Sequence, residues 1–119
     1  MKLIIAGSRS IPPQLGKDLV LAAVFAAKAL GWEIGEVVCG EARGIDRCGW
    51  LWAEHQGIPI KSFPADWGQH GKKAGYMRNE DMAAYADALI AITNGSPGTR
   101  HMIEIARRRK MPVIVIEIP

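Results

Sequence analysis

The chain alternates short apolar runs with longer stretches of helical periodicity, and this alternation constrains the fold more than any other feature. Five of the apolar runs are too short for helices. Short apolar runs with β-branched residues favour strands, so we predict a strand at each of them. They span residues 2–6, 34–39, 58–63, 87–93 and 113–118. Helices are predicted between them, at about residues 14–31, 45–56, 76–86 and 99–110.

The strands are apolar throughout, which is expected where helices cover both faces of a sheet. With right-handed crossovers, the pattern predicts an α/β fold built on a doubly wound, five-stranded parallel sheet. A length of 119 residues predicts a single domain over residues 1-119. Pro59 favours an edge position for the third strand. Residues 64–75 are rich in glycine and lack a period, so we expect a long loop there.

Composition excludes several classes of protein. A net charge of +3 suits an anionic ligand without requiring nucleic acid. The two cysteines form no CxxC pair and the three histidines lack metal-ligand spacing, so we expect neither a metal site nor a cofactor. The longest apolar run, Leu19 to Ala27, is too short to span a membrane, and we expect a cytoplasmic protein. The same run leaves the first helix with more apolar surface than one sheet face needs, which favours a homodimer or higher homo-oligomer.

Glycine-rich loops follow three of the predicted strands, and each leads into a helix. In an open parallel sheet, ligands bind beyond the carboxyl ends of the strands, where the strand order reverses. The expected order 3-2-1-4-5 sets strands one and four side by side, so that their loops part. Free N–H groups at a helix N-terminus suit a phosphate. The three loops are Gly7-Ser8-Arg9, Gly40-Glu41-Ala42-Arg43-Gly44 and Gly95-Ser96-Pro97-Gly98-Thr99.

Four segments of the chain carry a resemblance to a known family. They are GSR (7–9), CGEARGIDR (39–47), FPADWGQHGKKAGYMRN (63–79) and DALIAITNGSPGTRHM (87–102). Together they resemble the YspA-like branch of the SLOG superfamily, which is named after the Smf/DprA and LOG proteins. The resemblance implies a Rossmann-like fold, a nucleotide or nucleotide-derived ligand whose phosphate lies at the glycine-rich segment before the fourth helix, and a dimer.

The resemblance also assigns residues. Its G-x-x-x-G-x-D element falls on Gly40, Gly44 and Asp46, its RN pair on Arg78 and Asn79, and its GG-x-GT element on Gly95, Gly98 and Thr99, with Ser96 where a second glycine is usual. LOG-type phosphoribohydrolases carry a glutamate three residues after the threonine, where this chain has Met102. Glu104 lies about 200° around the helix from it and should point elsewhere.

Several individual side chains suit an anion-binding site, and for two of them a second role is open. Arg9 and Arg43 are expected to contact an anion, since arginine offers phosphate a bidentate fork. Arg78 is predicted in the first turn of its helix, where a cation opposes the dipole and is a candidate for function. Asp46 is either a favourable charge at a helix start or a carboxylate for ribose hydroxyls. Thr99 is predicted to cap its helix, and Trp67 either stacks on a base or packs onto the core.

Three functions remain open on sequence grounds. The leading hypothesis is a module that binds a nucleotide-derived small molecule, as a sensor or by sequestration. The second is a phosphoribohydrolase or N-glycosidase, for which Asp46 and Glu41 are the first candidate catalytic residues and Asp66 and Glu80 are further carboxylates; Met102 argues against it. The third is single-stranded nucleic-acid binding, which requires aromatic side chains that stack on bases along a basic groove. Aromatic residues make up only 7% of the chain, which argues against this function.

Overall fold

A computed structural model describes all residues, Met1–Pro119, and its centre is a five-stranded parallel sheet. The strand order is β3-β2-β1-β4-β5, which confirms the predicted order. In register, Ile4 pairs with Val38 on one side and Leu89 on the other. The strands are β1 (Lys2–Gly7), β2 (Glu36–Cys39), β3 (Ile60–Ser62), β4 (Ala88–Thr93) and β5 (Val113–Glu117).

Helices cover both faces of the sheet. The elements between the strands are α1 (Pro13–Ala29), α2 (Ile45–Gln56), α3 (Trp67–His70), a 3-10 turn (Gly71–Lys73), α4 (Ala74–Tyr85) and α5 (Pro97–Arg108). Helices α1 and α2 pack with Leu3, Ile5 and Ile90 on one face. Helices α4 and α5 pack with Ile4 and Leu89 on the other. Because successive strand residues face opposite sides, β1 and β4 are buried on both, as their unbroken apolar sequence requires.

The segment expected to be one long loop is partly helical, so that expectation is wrong over most of its length. Asp66 caps α3 by accepting a hydrogen bond from the backbone N–H of Gln69 at 3.1 Å. The 3-10 turn follows, and α4 already begins at Ala74, which is buried. Glycines at 68, 71 and 75 lower the helix propensity of this segment, so its sequence does not indicate these short elements. A cap and tertiary packing stabilise them.

Helix α1 leaves an apolar stripe open to solvent. Phe25 is 77% exposed, and Leu21 and Leu30 are also exposed, while Val20, Ala23, Val24 and Ala27 are buried against the sheet. The excess of apolar residues therefore does not enter the core. No helix of the chain combines the length and the apolar character needed to cross a bilayer.

Candidate functional site

A cleft of about 800 Å³ lies beyond the carboxyl ends of β1, β2 and β4. It is the place where the strand order reverses, since the chain leaves β1 towards β2 on one side and β4 lies on the other. All three glycine-rich loops contribute to its wall, and α4 closes it from the side. The charged and polar residues that line it include Arg9, Ser10, Glu41, Arg43, Asp46, Lys72, Arg78, Asn79, Ser96 and Thr99.

A chain of hydroxyl groups joins the loop after β1 to the loop after β4. The Ser8 hydroxyl lies 2.7 Å from that of Ser96, and it accepts a hydrogen bond from the Asn94 N–H at 3.1 Å. Ser96 in turn donates to the Thr99 hydroxyl at 3.0 Å. Ser8 is buried and does not line the cleft. It fixes the two loops to each other, which is a different role from the phosphate contact expected of it.

The N-terminus of α5 opens towards the cleft without a side-chain cap. Ser96 is the N-cap residue and Pro97 is the first helical residue, so the prediction that Thr99 caps this helix is wrong. Serine at this position usually accepts a hydrogen bond from a first-turn N–H. Here its hydroxyl is bonded to those of Ser8 and Thr99 instead. The N–H groups of Gly98 and Thr99 therefore have no side-chain acceptor where the cleft meets the helix.

Gly40, Arg78 and Asp46 meet at one point on the cleft wall. A side-chain carbon on Gly40 would stand 2.7 Å from the Arg78 guanidinium carbon and 2.8 Å from an Asp46 carboxylate oxygen, so a side chain there would have to displace the guanidinium group. Arg78 is the fifth residue of α4, in its second turn, because the helix begins earlier than the sequence predicted. Its expected opposition to the helix dipole is correspondingly weaker.

Gly44 sets the path of the chain into α2. Its φ of 73° and ψ of −127° lie in a region that residues with a side chain rarely adopt. A side-chain carbon there would also come within 2.8 Å of the Arg9 Cα. This close approach brings the loops after β1 and β2 together, and it places Arg9 and Arg43 on the same cleft.

Asp46 is a buried carboxylate in a cationic setting. Its side chain is 4% exposed, in the first turn of α2. Burial raises the pKa of this carboxyl above its ordinary value, and the positive charge of Arg78 opposes that shift. Backbone N–H groups of Ala42 and Gly7 oppose it too, as does Arg9. Such an acid can donate or accept a hydrogen bond from a ligand hydroxyl according to its protonation state.

Asn79 ties α4 to the start of α5. Its amide donates to the carbonyl of Gly98 at 3.1 Å and lies 3.2 Å from Nδ1 of His101. It also accepts from Nε of Arg78 at 3.2 Å. The RN pair therefore has divided roles: the arginine faces Gly40 and Asp46, while the buried asparagine positions the α5 N-terminus and directs the arginine.

Two exposed aromatic rings stand at the mouth of the cleft. Trp67 is 54% exposed and covers Gly75, where a side-chain carbon would lie 3.1 Å from its ring. Tyr76 is 44% exposed and packs edge-on against His101, with ring centroids 4.5 Å apart. The core-packing alternative for Trp67 is thus excluded. Sequence reasoning missed Tyr76, although an aromatic residue two positions before the RN pair was a signal for it.

The structure brings most of the predicted site residues together. Those that line the cleft are Gly7, Arg9, Glu41, Arg43, Asp46, Arg78, Asn79, Ser96, Gly98 and Thr99. Gly40 and Gly44 lie behind the wall as close-packing positions. Gly95 faces a second groove on the opposite side of α5. Met102 is buried and lines the cleft, whereas Glu104 is exposed on that second groove.

Neither a metal centre nor a reactive thiol is built into this wall. No three histidine, cysteine or acidic side chains are grouped so that they could hold a metal ion. Cys39 is fully buried, and burial, followed by the negative charges of Asp46 and Glu41, raises its pKa to about 12. A thiol held in this state is a poor nucleophile, because the thiolate is the reactive form.

Comparison with known proteins gives a family match and a similar protein. The family described as YspA, cpYpsA-related SLOG matches residues 1–70, which include the loops after β1 and β2. Arg78, Asn79 and the α5 N-terminus lie beyond that match. The Gene 61 protein of Mycobacterium phage D29 is 42% identical over 85 residues, covering 66% of this chain and 68% of the phage protein. No solved structure is a significant match.

Proposed function

Because the chain belongs to the YspA, cpYpsA-related SLOG family, we propose that its cleft binds a nucleotide or nucleotide-derived small molecule. Family membership is consistent with a nucleotide-related ligand of some kind. The finer statement, that this cleft holds the ligand and that the protein acts as a sensor or sequestering module, is supported by the chemistry of the wall.

One observation carries the proposal: the uncapped N-terminus of α5. A serine stands at the N-cap, yet it does not cap, because its hydroxyl bonds to two other hydroxyls. The first-turn N–H groups of Gly98 and Thr99 are left for a ligand. Such groups, together with the positive end of the helix dipole, favour a phosphate. A chain that needed this turn only as a connector would gain stability by capping it.

Cations surround the same space. Arg9, Arg43 and Arg78 reach the cleft from three different elements, and Lys72 lies at its outer wall. Only Glu41 and Asp46 oppose them among the lining residues, and burial favours the neutral form of Asp46. The balance of charge in the cleft therefore attracts an anion, and three arginines suit more than one phosphate or a phosphate with a second acidic group.

The remaining walls suit a sugar and a base. Asp46 offers a carboxyl for ribose hydroxyls, as acidic residues do in related dinucleotide sites. Trp67 and Tyr76 offer exposed ring surface at the mouth, and stacking on such rings contributes about 1–3 kcal/mol per base. A volume of about 800 Å³ falls within the usual range for small-molecule sites, roughly 300–1,000 Å³.

A ligand screen tests the proposal. The protein is heated with a fluorescent reporter in the presence of mononucleotides, cyclic dinucleotides and ADP-ribose, and hits are measured by calorimetry. A specific ligand at a hundredfold excess over its dissociation constant should stabilise the fold by about 2.7 kcal/mol. Trp67→Ala should weaken a nucleotide but leave the affinity for ribose 5-phosphate unchanged, with Trp67→Phe as the matched control. If no phosphate-containing compound binds, the proposal fails.

Hydrolysis of an N-glycosidic bond is a second candidate, because two carboxyl groups line the cleft. Asp46 and Glu41 do so, whereas Asp66 caps α3 and Glu80 is exposed on α4. The glutamate expected of a LOG-type hydrolase is absent, since Met102 fills that position and is buried. We therefore expect little or no release of base from nucleoside monophosphates. Turnover at about 1 s⁻¹ or faster would contradict this expectation and make Asp46→Asn and Glu41→Gln the first variants to measure.

A further inference from the structure

Strand β5 presents an open edge to solvent. It is the last strand of the sheet and pairs with β4 alone. The carbonyl of Pro112 and the N–H of Ile118 bond to the β4 side, at Leu89 and Thr93. Because these groups alternate along a strand, the N–H and C=O groups of Val113, Val115 and Glu117 point outwards, where no strand lies.

Apart from Glu117 at its end and the flanking Pro112 and Pro119, this edge carries none of the usual protections against pairing. Proteins protect exposed edges with lysine, proline, bulges or covering loops. Here residues 113–116 are Val-Ile-Val-Ile, all partly exposed, and the strand pairs without a bulge over its whole length. The other edge strand, β3, has only three residues and contains Lys61. The sheet is therefore open to a further strand on the β5 side.

A basic groove of about 710 Å³ lies beside this edge, on the opposite side of α5 from the cleft. Arg100, Arg107 and Arg108 line it, and recur at helical spacing along one stripe of α5. Two acidic residues, Glu104 and Glu117, line it as well. No aromatic ring does, so the groove lacks the stacking surface that single-stranded nucleic acid uses.

We propose that the β5 edge and this groove together bind an extended segment of a partner protein by strand addition. The side chains of such a strand alternate between the two faces of the sheet. On the α5 face they lie beside Val113, Val115 and Glu117 of β5 and reach towards the arginine stripe, so the residues that meet these arginines are acidic. On the α1 face they extend the row formed by Ile114, Ile116 and Ile118, so this set is apolar. The partner segment is accordingly one in which acidic and apolar residues alternate.

A second copy of the chain fits this surface less well. Its own β5 would bring only one acidic residue, Glu117, to a stripe of three arginines. It would also bring the arginines of the two copies towards each other. Charge complementarity thus favours a different, acidic chain over self-association through this edge. The exposed stripe on α1 is a separate surface on a different element.

The probe for this proposal is a short fluorescein-labelled peptide in which glutamate and valine alternate, measured by anisotropy against the intact protein. We expect saturable binding that weakens with salt. The double variant Arg100→Glu, Arg107→Glu should bind at least tenfold more weakly, while the double variant Lys17→Glu, Lys28→Glu, at exposed positions of α1, serves as a charge-matched control. A peptide of the same composition with its glutamates clustered should also bind more weakly.

Backbone methylation separates strand addition from simple charge attraction. Two further peptides carry N-methyl groups on alternate residues, one on the glutamates and one on the valines. Since alternate N–H groups face the β5 edge, one peptide should lose binding and the other should keep it. Equal binding by both would overturn the proposal, as would tighter binding of a single-stranded oligonucleotide, or a dimer that the Val115→Pro change dissociates. These measurements use wild-type protein for the decisive comparison, so a variant that fails to fold does not leave the question open.

Discussion

Gly40 lies directly against the guanidinium group of Arg78. A side-chain carbon at residue 40 would stand 2.7 Å from the guanidinium carbon, and an Asp46 oxygen lies 2.8 Å away on the same side. The end of β2, the first turn of α2 and the second turn of α4 are thereby held together. The residue at position 40 consequently controls where the arginine points, although it does not line the cleft itself.

The first prediction follows from this contact. Gly40→Ala should fold, because the far end of a flexible arginine can move, but it should displace Arg78 and weaken an anionic ligand by about tenfold or more, the value of one charge-assisted hydrogen bond. Calorimetry on Gly40→Ala, Arg78→Ala and the double variant measures the coupling. The effects should be far from additive, since both changes remove the same contact. Additive losses would show that glycine acts on the ligand independently.

The second prediction concerns pH. Burial raises the pKa of Asp46 above its ordinary value of 3.8, so the folded state holds this proton more tightly than the unfolded state. The stability from this group is fully present below pH 3.8 and is lost as the pH rises through the folded-state pKa. Asp46→Asn does not titrate, so its stability relative to wild type should increase with pH across that window. Urea unfolding of both proteins from acid to neutral pH measures the difference; a constant difference would contradict the shift.

Much of the fold was readable from the sequence, because burial on both faces and helical periodicity leave strong local patterns. The prediction of α2 agrees with the structure at both ends, Ile45 and Gln56, where Gly44 and Gly57 bound the helix. The start of α5 was missed by two residues. Serine followed by proline is itself a helix-start pattern, but the prediction rested on helical periodicity, which is clear only from Thr99 onwards.

The sequence did not indicate which of the site residues would contact a ligand and which would support their neighbours. Ser8 was expected to touch phosphate, and its hydroxyl instead bonds to residues far along the chain, at 94 and 96. Asn79 was assigned as a ligand contact, and its amide bonds to Gly98 and His101 on another helix. These partners are set by tertiary packing, on which local periodicity carries no information. Resemblance located these residues without distinguishing ligand contacts from supports.

The third prediction tests the support given by Asn79. Asn79→Ala removes a donor to the Gly98 carbonyl and an acceptor for Arg78, both partly buried. Loss of such hydrogen bonds costs about 1–3 kcal/mol, and we expect that decrease in the free energy of unfolding. His101→Phe, which keeps a ring against Tyr76, should cost less. If the two variants were equally stable, the contacts of Asn79 with Gly98 and Arg78 would together contribute nothing measurable.

The fourth prediction concerns assembly through α1. The exposed stripe that includes Leu21 and Phe25 is apolar on the side away from the sheet. Removing it from water on association is favourable, so we expect a homodimer or higher oligomer. Phe25→Glu should dissociate it without loss of fold, because this side chain contributes little to the core. Light scattering at micromolar concentration is the measurement; a wild-type mass of only 13.0 kDa would exclude the oligomer.

The fifth prediction concerns the α5 N-terminus, and it separates a binding site from a mere connector. Gly98 is the second residue of the helix and has open space where a side chain would lie. Gly98→Ala should therefore fold and be at least as stable as wild type, because alanine favours a helix by about 1 kcal/mol over glycine. Gly98→Asp should fold equally well, since a carboxylate at a helix N-terminus is favourable. It should nevertheless abolish binding of a phosphate-containing ligand, because its charge occupies the place of the phosphate and repels it.

Calorimetry with the ligand identified by the screen compares the three proteins. The alanine variant reports the effect of an added Cβ alone, so that the further loss on changing alanine to aspartate measures the carboxylate group, its bulk and its charge together. If a folded aspartate variant bound the ligand with wild-type affinity, the amides of this turn would not hold its phosphate.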